Sequence, residues 1–253
     1  LHIPLSTHDG IIIEYLPPYP SSGMMPMSSK PYALYYWPIP GIAEASRVAL
    51  TLADLDWEDV EIDGDMFAKM KSDGKLPWGM VPMLQTPEGP LAESIAILRY
   101  LGYKCDLIPD DSFKAAKVDE FLDGIGPYSG ILDGTFSIED LDKRTRAREA
   151  LFTPDGKGTK SLTMLEKKIS ESTTGWIAST SSMNIADLKV FTHIFGLFSG
   201  NFDGVDKSIL TAYPQLIEYH DIVAHEPRIK AHYANIPEDS LRWTYQPYAF
   251  SSL

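Results

Sequence analysis

From residue 31 onward the apolar residues change their spacing several times, and each change marks the boundary of a predicted element. The aromatic run Tyr32–Trp37 predicts a strand, and after a Pro-Gly turn the apolar residues of 43–53 recur at helical spacing. The same criteria predict strands over 57–62 and 81–86, a hairpin turn at 87–90 into a fourth strand, and helices over 66–71 and 95–103. The predicted order is therefore β-α-β-α-β-β-α.

Helical spacing continues through the second half of the chain, where no further strand is predicted. Asp110, Asp111 and Ser112 are candidate caps for a helix that runs to Gly124. Five more helices are predicted, over 139–152, 159–170, 185–199, 214–224 and 227–234. These predictions describe a small α/β domain followed by an all-helical one.

The first of these two regions, with a Val81-Pro82 peptide opening its third strand, has the pattern of a thioredoxin-like domain. We therefore predict an α/β thioredoxin-like domain at 31–108, an all-α domain at 109–235 and a C-terminal tail at 236–253. Residues 1–30 form a separate N-terminal extension that we expect to be irregular, because residues 16–29 contain four Pro, three Met and four Ser and little apolar surface to bury.

Charge and cysteine content exclude several classes of function. Subtracting 35 acidic from 22 basic residues gives a net charge of −13, and no Lys/Arg run reverses that charge locally, so nucleic acid and membrane surfaces are not expected partners. The single cysteine, Cys105, excludes an intramolecular disulfide and suits a reducing compartment, so we expect a cytoplasmic protein. The six His show no ligand spacing, and no metal is expected.

Five segments, in order along the chain, carry a resemblance to a known family. They are Leu34-Tyr35-Tyr36-Trp37 with Gly41-Ile42-Ala43-Glu44, Leu76-Pro77-Trp78-Gly79-Met80-Val81-Pro82-Met83-Leu84, Glu93-Ser94-x-Ala96-Ile97, Asn184-Ile185-Ala186-Asp187, and Tyr213-Pro214-x-Leu216 through Pro227-x-Ile229. Over residues 31–235 the chain resembles the cytosolic glutathione transferases, most closely the sigma class. The resemblance implies the glutathione transferase fold, glutathione as co-substrate, a small apolar electrophile as second substrate, and a homodimer.

A tyrosine at the end of the first strand is the expected catalytic residue. Glutathione's thiol resembles free cysteine, with a pKa of about 8.5, so an O–H donor directed at the sulfur favours the reactive thiolate. Tyr35 and Tyr36 are both candidates, and only one of them points at the sulfur because strand side chains alternate between faces. Alignment with the family selects Tyr36, and Trp37 beside it is expected to contact glutathione. The electrophile pocket is expected to be lined by Trp37, Ile39 and the region of Tyr128.

The remaining expected contacts hold the tripeptide. A cis Val81-Pro82 bond would present the backbone of Val81 to an extended peptide, with Met80 beside it. Glu93 and Ser94 open a helix, where free N–H groups favour a carboxylate, so Ser94 is expected to bind the γ-glutamyl carboxylate and Glu93 its ammonium. Asn184 and Asp187 are assigned to helix capping alone.

Several positions depart from the family's pattern. Ile42 stands where many sigma-class proteins carry an Arg, so a cation beside the thiolate is missing. The lysine for the glycyl carboxylate maps near Lys71, but Lys75 and Lys69 compete with it. The acidic residue that reaches across the family's dimer would fall at 126–127, which leaves Asp123 as the nearby substitute.

Two rival functions remain open at this point. The same thiolate could serve an isomerase or a peroxide reductase, since the sigma class includes prostaglandin synthases. The absence of a cation at Ile42 also fits a weakly active carrier or structural protein with the same fold.

Overall fold

The structure is a computed structural model that describes residues 28–126, 130–251 and 253. Its single sheet contains β1 (Tyr32–Tyr36), β2 (Trp57–Glu61), β3 (Met83–Thr86) and β4 (Gly89–Ala92), in the order β2-β1-β3-β4. The β1 and β2 strands are parallel, whereas β3 runs antiparallel to both β1 and β4. The predictions for the N-terminal extension lie outside the described residues except at 28–30.

Three helices complete the first domain: α1 (Glu44–Leu52), α2 (Gly64–Ser72) and α3 (Ser94–Lys104). Every residue of β1 is buried, which explains why this strand reads as a continuous apolar run rather than an alternating one. α1 packs against α3 and against the second domain. The predicted α/β thioredoxin-like domain and the all-α domain that follows it are both confirmed.

The second domain contains α4 (Ser112–Gly124), α5 (Leu141–Leu151), α6 (Lys157–Ser170), α7 (Ile185–Gly196), α8 (Pro214–His225) and α9 (Pro227–Tyr233). The central helix is α7, which is buried along nearly its whole length and contacts α1, α4 and α8. It begins at a capping box in which Asn184 and Asp187 satisfy each other's backbone N–H groups, as the sequence predicts.

Two of the differences from the predicted boundaries are at the start of β3 and at the end of α7. β3 begins at Met83 rather than Val81, because Pro82 has no N–H to donate to a neighbouring strand. α7 ends at Gly196, three residues early, where the hydroxyl of Tyr245 lies 2.8 Å from the position a Cβ would occupy.

Across the described residues, we find no helix with the length and apolar character that crossing a bilayer requires.

The C-terminal tail is more ordered than its name suggests. It contains a short 3₁₀ helix, Leu241–Tyr245, and it packs against the second domain with Tyr245 and Phe250 buried. The sequence predicts no element in this segment, because a 3₁₀ helix of five residues has too few turns to show a periodic spacing of apolar residues.

Candidate active site

The sheet register brings the expected site residues to one edge. Tyr35 pairs with Met83, and Met83 pairs with Ala92, so one step further along each strand Tyr36, Pro82 and Glu93 form a row. Adjacent strands lie about 4.8 Å apart, which places the ends of this row about 10 Å from each other. An extended tripeptide has the length to span that row.

The hydroxyl of Tyr36 is a buried polar atom without a hydrogen-bond partner among the described residues. Its side chain is 0% exposed, and burial raises the pKa of Tyr36 to about 12, against the opposing effects of the Ile42 backbone amide and the Arg47 guanidinium. The Ile42 amide is near enough to affect the pKa without meeting hydrogen-bond geometry. Tyr36 is therefore a neutral phenol at physiological pH, with an O–H left free to donate.

Tyr35 faces a different environment. It lies beside the backbone of Ser28 and the carboxylate of Glu58, and burial raises its pKa. The hydroxyls of Tyr35 and Tyr36 therefore lie in different surroundings, as the alternation of side chains along a strand requires.

Gly41 makes the close approach of this turn to Tyr36 possible. Its φ of +49° lies in the left-handed region, and a Cβ at this position would be 2.7 Å from the Tyr36 hydroxyl oxygen and 2.9 Å from the ring. A side chain here would have to displace a buried aromatic ring.

Arg47 holds the rest of the turn, and the sequence analysis did not identify it. Its guanidinium Nη1 donates to the carbonyl oxygens of Ile39 at 2.9 Å and Pro40 at 3.0 Å, and Nη2 donates to the carbonyl oxygen of Trp37 at 3.2 Å. The side chain is only 3% exposed. The available signal was an arginine among the apolar residues of α1, three residues after Glu44, because such a residue is buried only when its donors are satisfied.

Pro82 and Glu93, the other two residues of the row, have distinctive backbone geometry. The Val81–Pro82 peptide bond is cis, and both residues are buried. Glu93 precedes α3 with a φ of +68° and its side chain does not cap the helix, so the first N–H groups of α3 have no side-chain acceptor there. Ser94, the first residue of α3, is half-buried beside them.

The three competing lysines are separated by their contacts. Lys69 pairs with Asp73 at 3.0 Å, whereas the Nζ of Lys71 lies 5.6 Å from the ring centroid of Phe67 and its side chain passes beside Gly79. Phe67 in turn packs against Trp37 with a centroid distance of 5.3 Å. Lys71 thus reaches the loop before Pro82, a loop that also contains Met80. Lys75 is exposed.

Asp123 and Cys105 lie outside the row of Tyr36, Pro82 and Glu93. Asp123 is exposed and accepts a hydrogen bond from Arg99 of its own chain at 2.8 Å. Burial raises the pKa of the Cys105 thiol to about 11, so the thiol is protonated at neutral pH. No cluster of metal-ligating side chains occurs in the described part of the chain.

The contact between Gly41 and Tyr36 gives a prediction on stability. Gly41→Ala should lower the free energy of unfolding by about 2–4 kcal/mol, because it adds a clash with a buried ring to the cost of a left-handed alanine, about 1–2 kcal/mol. Gly200→Ala is the matched control, since Gly200 has a φ of +84° and nothing within 4 Å of its Cβ position. Equal losses for both variants in denaturant titrations would show that the ring does not restrict this turn.

Comparisons with known proteins find related sequences and structures. Residues 32–102 match the family model of the glutathione S-transferase N-terminal domain, and residues 134–235 match the model of its C-terminal domain. Glutathione S-transferase 1 of Ascaris suum is 26% identical over 211 residues, which cover 82% of this chain and 97% of that protein. The hematopoietic prostaglandin D synthase of Rattus norvegicus is 30% identical over 114 residues, covering 45% of this chain and 56% of that protein.

A solved structure described as monomeric Na-GST-3, a glutathione S-transferase of the hookworm Necator americanus, superimposes with a TM-score of 0.60 at 25% identity. It covers 82% of this chain and 98% of that one. With two domain models matching in order along most of its length, the chain belongs to the glutathione S-transferase family.

Proposed function

We propose that this protein is a glutathione transferase of the sigma type, in which Tyr36 stabilises the glutathione thiolate for attack on a small apolar electrophile. The observation that carries the proposal is the free, buried hydroxyl of Tyr36 at the end of β1. A buried donor without a partner costs about 1–3 kcal/mol, and a bound thiolate would remove that cost. The residues at the sheet edge therefore fit glutathione as co-substrate.

Tyr36 contributes by remaining protonated. With its pKa raised to about 12, the phenol keeps its proton while a thiol with an ordinary pKa of about 8.5 loses its own. The hydrogen bond then runs from the phenol to the sulfur anion and stabilises that anion both before and during attack. Arg47 supports this arrangement through the carbonyl oxygens of Trp37, Ile39 and Pro40, which fix the turn beside the hydroxyl.

The peptide part of glutathione is proposed to lie along the row. Its cysteinyl backbone pairs with Val81, its γ-glutamyl carboxylate binds Ser94 and the free N–H groups of α3, and Glu93 accepts from its ammonium. Lys71 or Lys75 binds the glycyl carboxylate, and Lys71 is favoured by its position against the loop before Pro82. Lys69 is a weaker candidate because it already pairs with Asp73.

The electrophile is proposed to bind between the domains, beside Trp37 and Ile39. The third expected contributor, Tyr128, lies outside the described residues. Because Ile42 supplies no cation, the thiol pKa should be lowered less than a nearby arginine would lower it, and turnover of generic electrophiles should be modest. The similarity to a prostaglandin D synthase keeps isomerase chemistry with the same thiolate as the second candidate. We propose a cytoplasmic location because one unpaired cysteine suits a reducing compartment.

The first test removes the proposed donor. Tyr36→Phe should retain glutathione binding but lower turnover about 10- to 100-fold and raise the pKa of the bound thiol by about one to two units, if the hydrogen bond contributes about 1.4–3 kcal/mol. Turnover is measured with a generic conjugation assay and the thiol pKa by the ultraviolet absorbance of the thiolate.

The matched control is Tyr35→Phe, one residue away on the opposite face, which should behave as the parent. Equal turnover of the parent and Tyr36→Phe would end the assignment of Tyr36. A parent that is retained on immobilised glutathione but turns over no faster than buffer would favour the carrier function instead.

The second test addresses the γ-glutamyl subsite. Ser94→Ala should weaken glutathione binding by about 1.5–3 kcal/mol, since it removes a hydrogen bond to a charged group. Isothermal calorimetry gives the affinity directly. Ser112→Ala, at the first position of α4, is the control for changing a serine at a helix start. Unchanged affinity in Ser94→Ala would exclude this subsite.

We also propose a two-fold dimer, with a second copy of the chain as the occupant of a groove between α4 and α6. The groove has a volume of about 400 Å³, and its apolar lining includes Phe121, Ile125, Met164 and Leu165. Its rim carries a Lys–Glu pair on α4 and another at the end of α6, so both signs of charge are available for a self-complementary contact. The side chain of Trp78 is 74% exposed and gives the first domain further apolar surface that a partner copy could cover.

Sedimentation equilibrium tests the dimer. The parent should have a mass near twice 28.2 kDa at micromolar concentration. Met164→Lys, which places a charge in the groove, should reduce that mass toward the monomer value, whereas Leu141→Lys at an exposed site on α5 should not. A measured mass of 28 kDa for the parent would exclude the dimer and any cross-subunit role for Asp123. The parent would then be a monomer, as the hookworm structure is described to be.

A further inference from the structure

The C-terminal tail is held against the second domain by several contacts that are independent of one another. The Tyr245 hydroxyl donates to the carbonyl oxygen of Thr192 at 2.8 Å, and the Thr244 hydroxyl donates to the carbonyl oxygen of Phe195 at 3.0 Å. The backbone N–H of Tyr248 donates to Asp221 at 2.9 Å. All three tail residues lie beyond residue 235, where the match to the family's C-terminal domain ends.

Arg242 extends from this anchored tail to the first turn of α1. Its Nε donates to Oε1 of Glu44 at 2.8 Å, and the hydroxyl of Tyr233 donates to the same oxygen at 3.1 Å. The other carboxylate oxygen, Oε2, accepts from Nη1 of Arg47 at 3.2 Å. Glu44 is 0% exposed, so its two oxygens depend entirely on these protein donors.

Arg47 connects this carboxylate to the turn beside Tyr36. The Nη1 that donates to Glu44 also donates to the carbonyl oxygens of Ile39 and Pro40. The chain of direct contacts therefore runs from the tail through Arg242, Glu44 and Arg47 to the residues that follow Tyr36.

We propose that Arg242 is a positioning residue for Tyr36: by sharing the charge of Glu44 it leaves Arg47 free to hold the turn at residues 37–40. This inference rests on the proposed function and deepens it. It assigns to the tail a part in catalysis that acts through Glu44 and Arg47.

The physical reason is that a buried carboxylate must be matched by positive charge. Two guanidinium groups now face Glu44, and loss of Arg242 would leave Arg47 as the one cation among the described residues with a hydrogen bond to it. Arg47 would then move toward Glu44, lengthen its bonds to the carbonyl oxygens and release the turn. The other titratable groups near this carboxylate are Tyr233, Tyr245 and His232. Asp59 affects the carboxylate through the two arginines, because it forms an ion pair with Arg47 and its charge raises the pKa of Arg242.

The test compares Arg242→Gln with Arg242→Lys in the full chain. Arg242→Gln should lower kcat for glutathione conjugation about 3- to 10-fold and raise the pKa of the bound thiol by about half to one unit, with the glutathione dissociation constant within twofold of the parent's. Arg242→Lys restores the charge and should recover most of both losses. The control is Arg228→Gln, because Arg228 pairs at the surface with Glu226 at 2.8 Å and should have no effect on either quantity.

Each outcome decides the inference. A change in unfolding free energy with kcat and thiol pKa unaltered would overturn it, because a purely structural residue gives that result; equal impairment of the Gln and Lys variants would overturn it as well. If Arg242→Gln does not fold, Arg242→Met, which keeps the length of the side chain without the charge, is measured in its place. An active parent with an unaffected Arg242→Gln removes this inference alone, whereas a parent without glutathione turnover removes the proposed function and this inference with it.

Discussion

The buried guanidinium of Arg47 is the contact on which the candidate active site depends. It donates to three backbone carbonyl oxygens of the turn after β1, to Glu44 in the same helix and, through Nε, to Asp59 on β2 at 2.7 Å. One planar group thus ties together a turn, a helix and a neighbouring strand. A lysine has a single ammonium and cannot reach these acceptors at once, so the position requires arginine.

Charges that are buried in this region balance one another across the domain boundary. Glu44 belongs to the first domain, but Tyr233 from the second domain and Arg242 from the C-terminal tail supply two of its donors. α1 also packs directly against α7. The relative position of the two domains is therefore fixed by polar as well as apolar contacts. The geometry of the proposed active site depends on both kinds of contact.

The thiolate in the proposed mechanism is stabilised mainly by hydrogen bonding. Ile42 stands where a cation would otherwise add a Coulombic contribution, and the nearest guanidinium, that of Arg47, is occupied with the turn, with Glu44 and with Asp59. The arrangement favours an enzyme that depends strongly on the single O–H of Tyr36. It also explains why a carrier function remains the natural alternative, because glutathione binding and thiolate activation depend on different residues.

Local periodicity, turn residues and short motifs were enough to predict the order of the elements and the division into two domains, and the family resemblance selected Tyr36, Pro82 and Glu93 as candidate site residues. The register that places these three residues in one row comes from the pairing of three strands in the folded sheet. The folded structure separates the contacts of Lys71 from those of Lys69 and shows the bonds that Arg47 and Arg242 make. The bonds from Tyr233 and Arg242 to Glu44 join residues 189 and 198 positions apart. No local pattern encodes such contacts, since they form only when folding brings the tail, the last helix and the first helix together around one buried carboxylate.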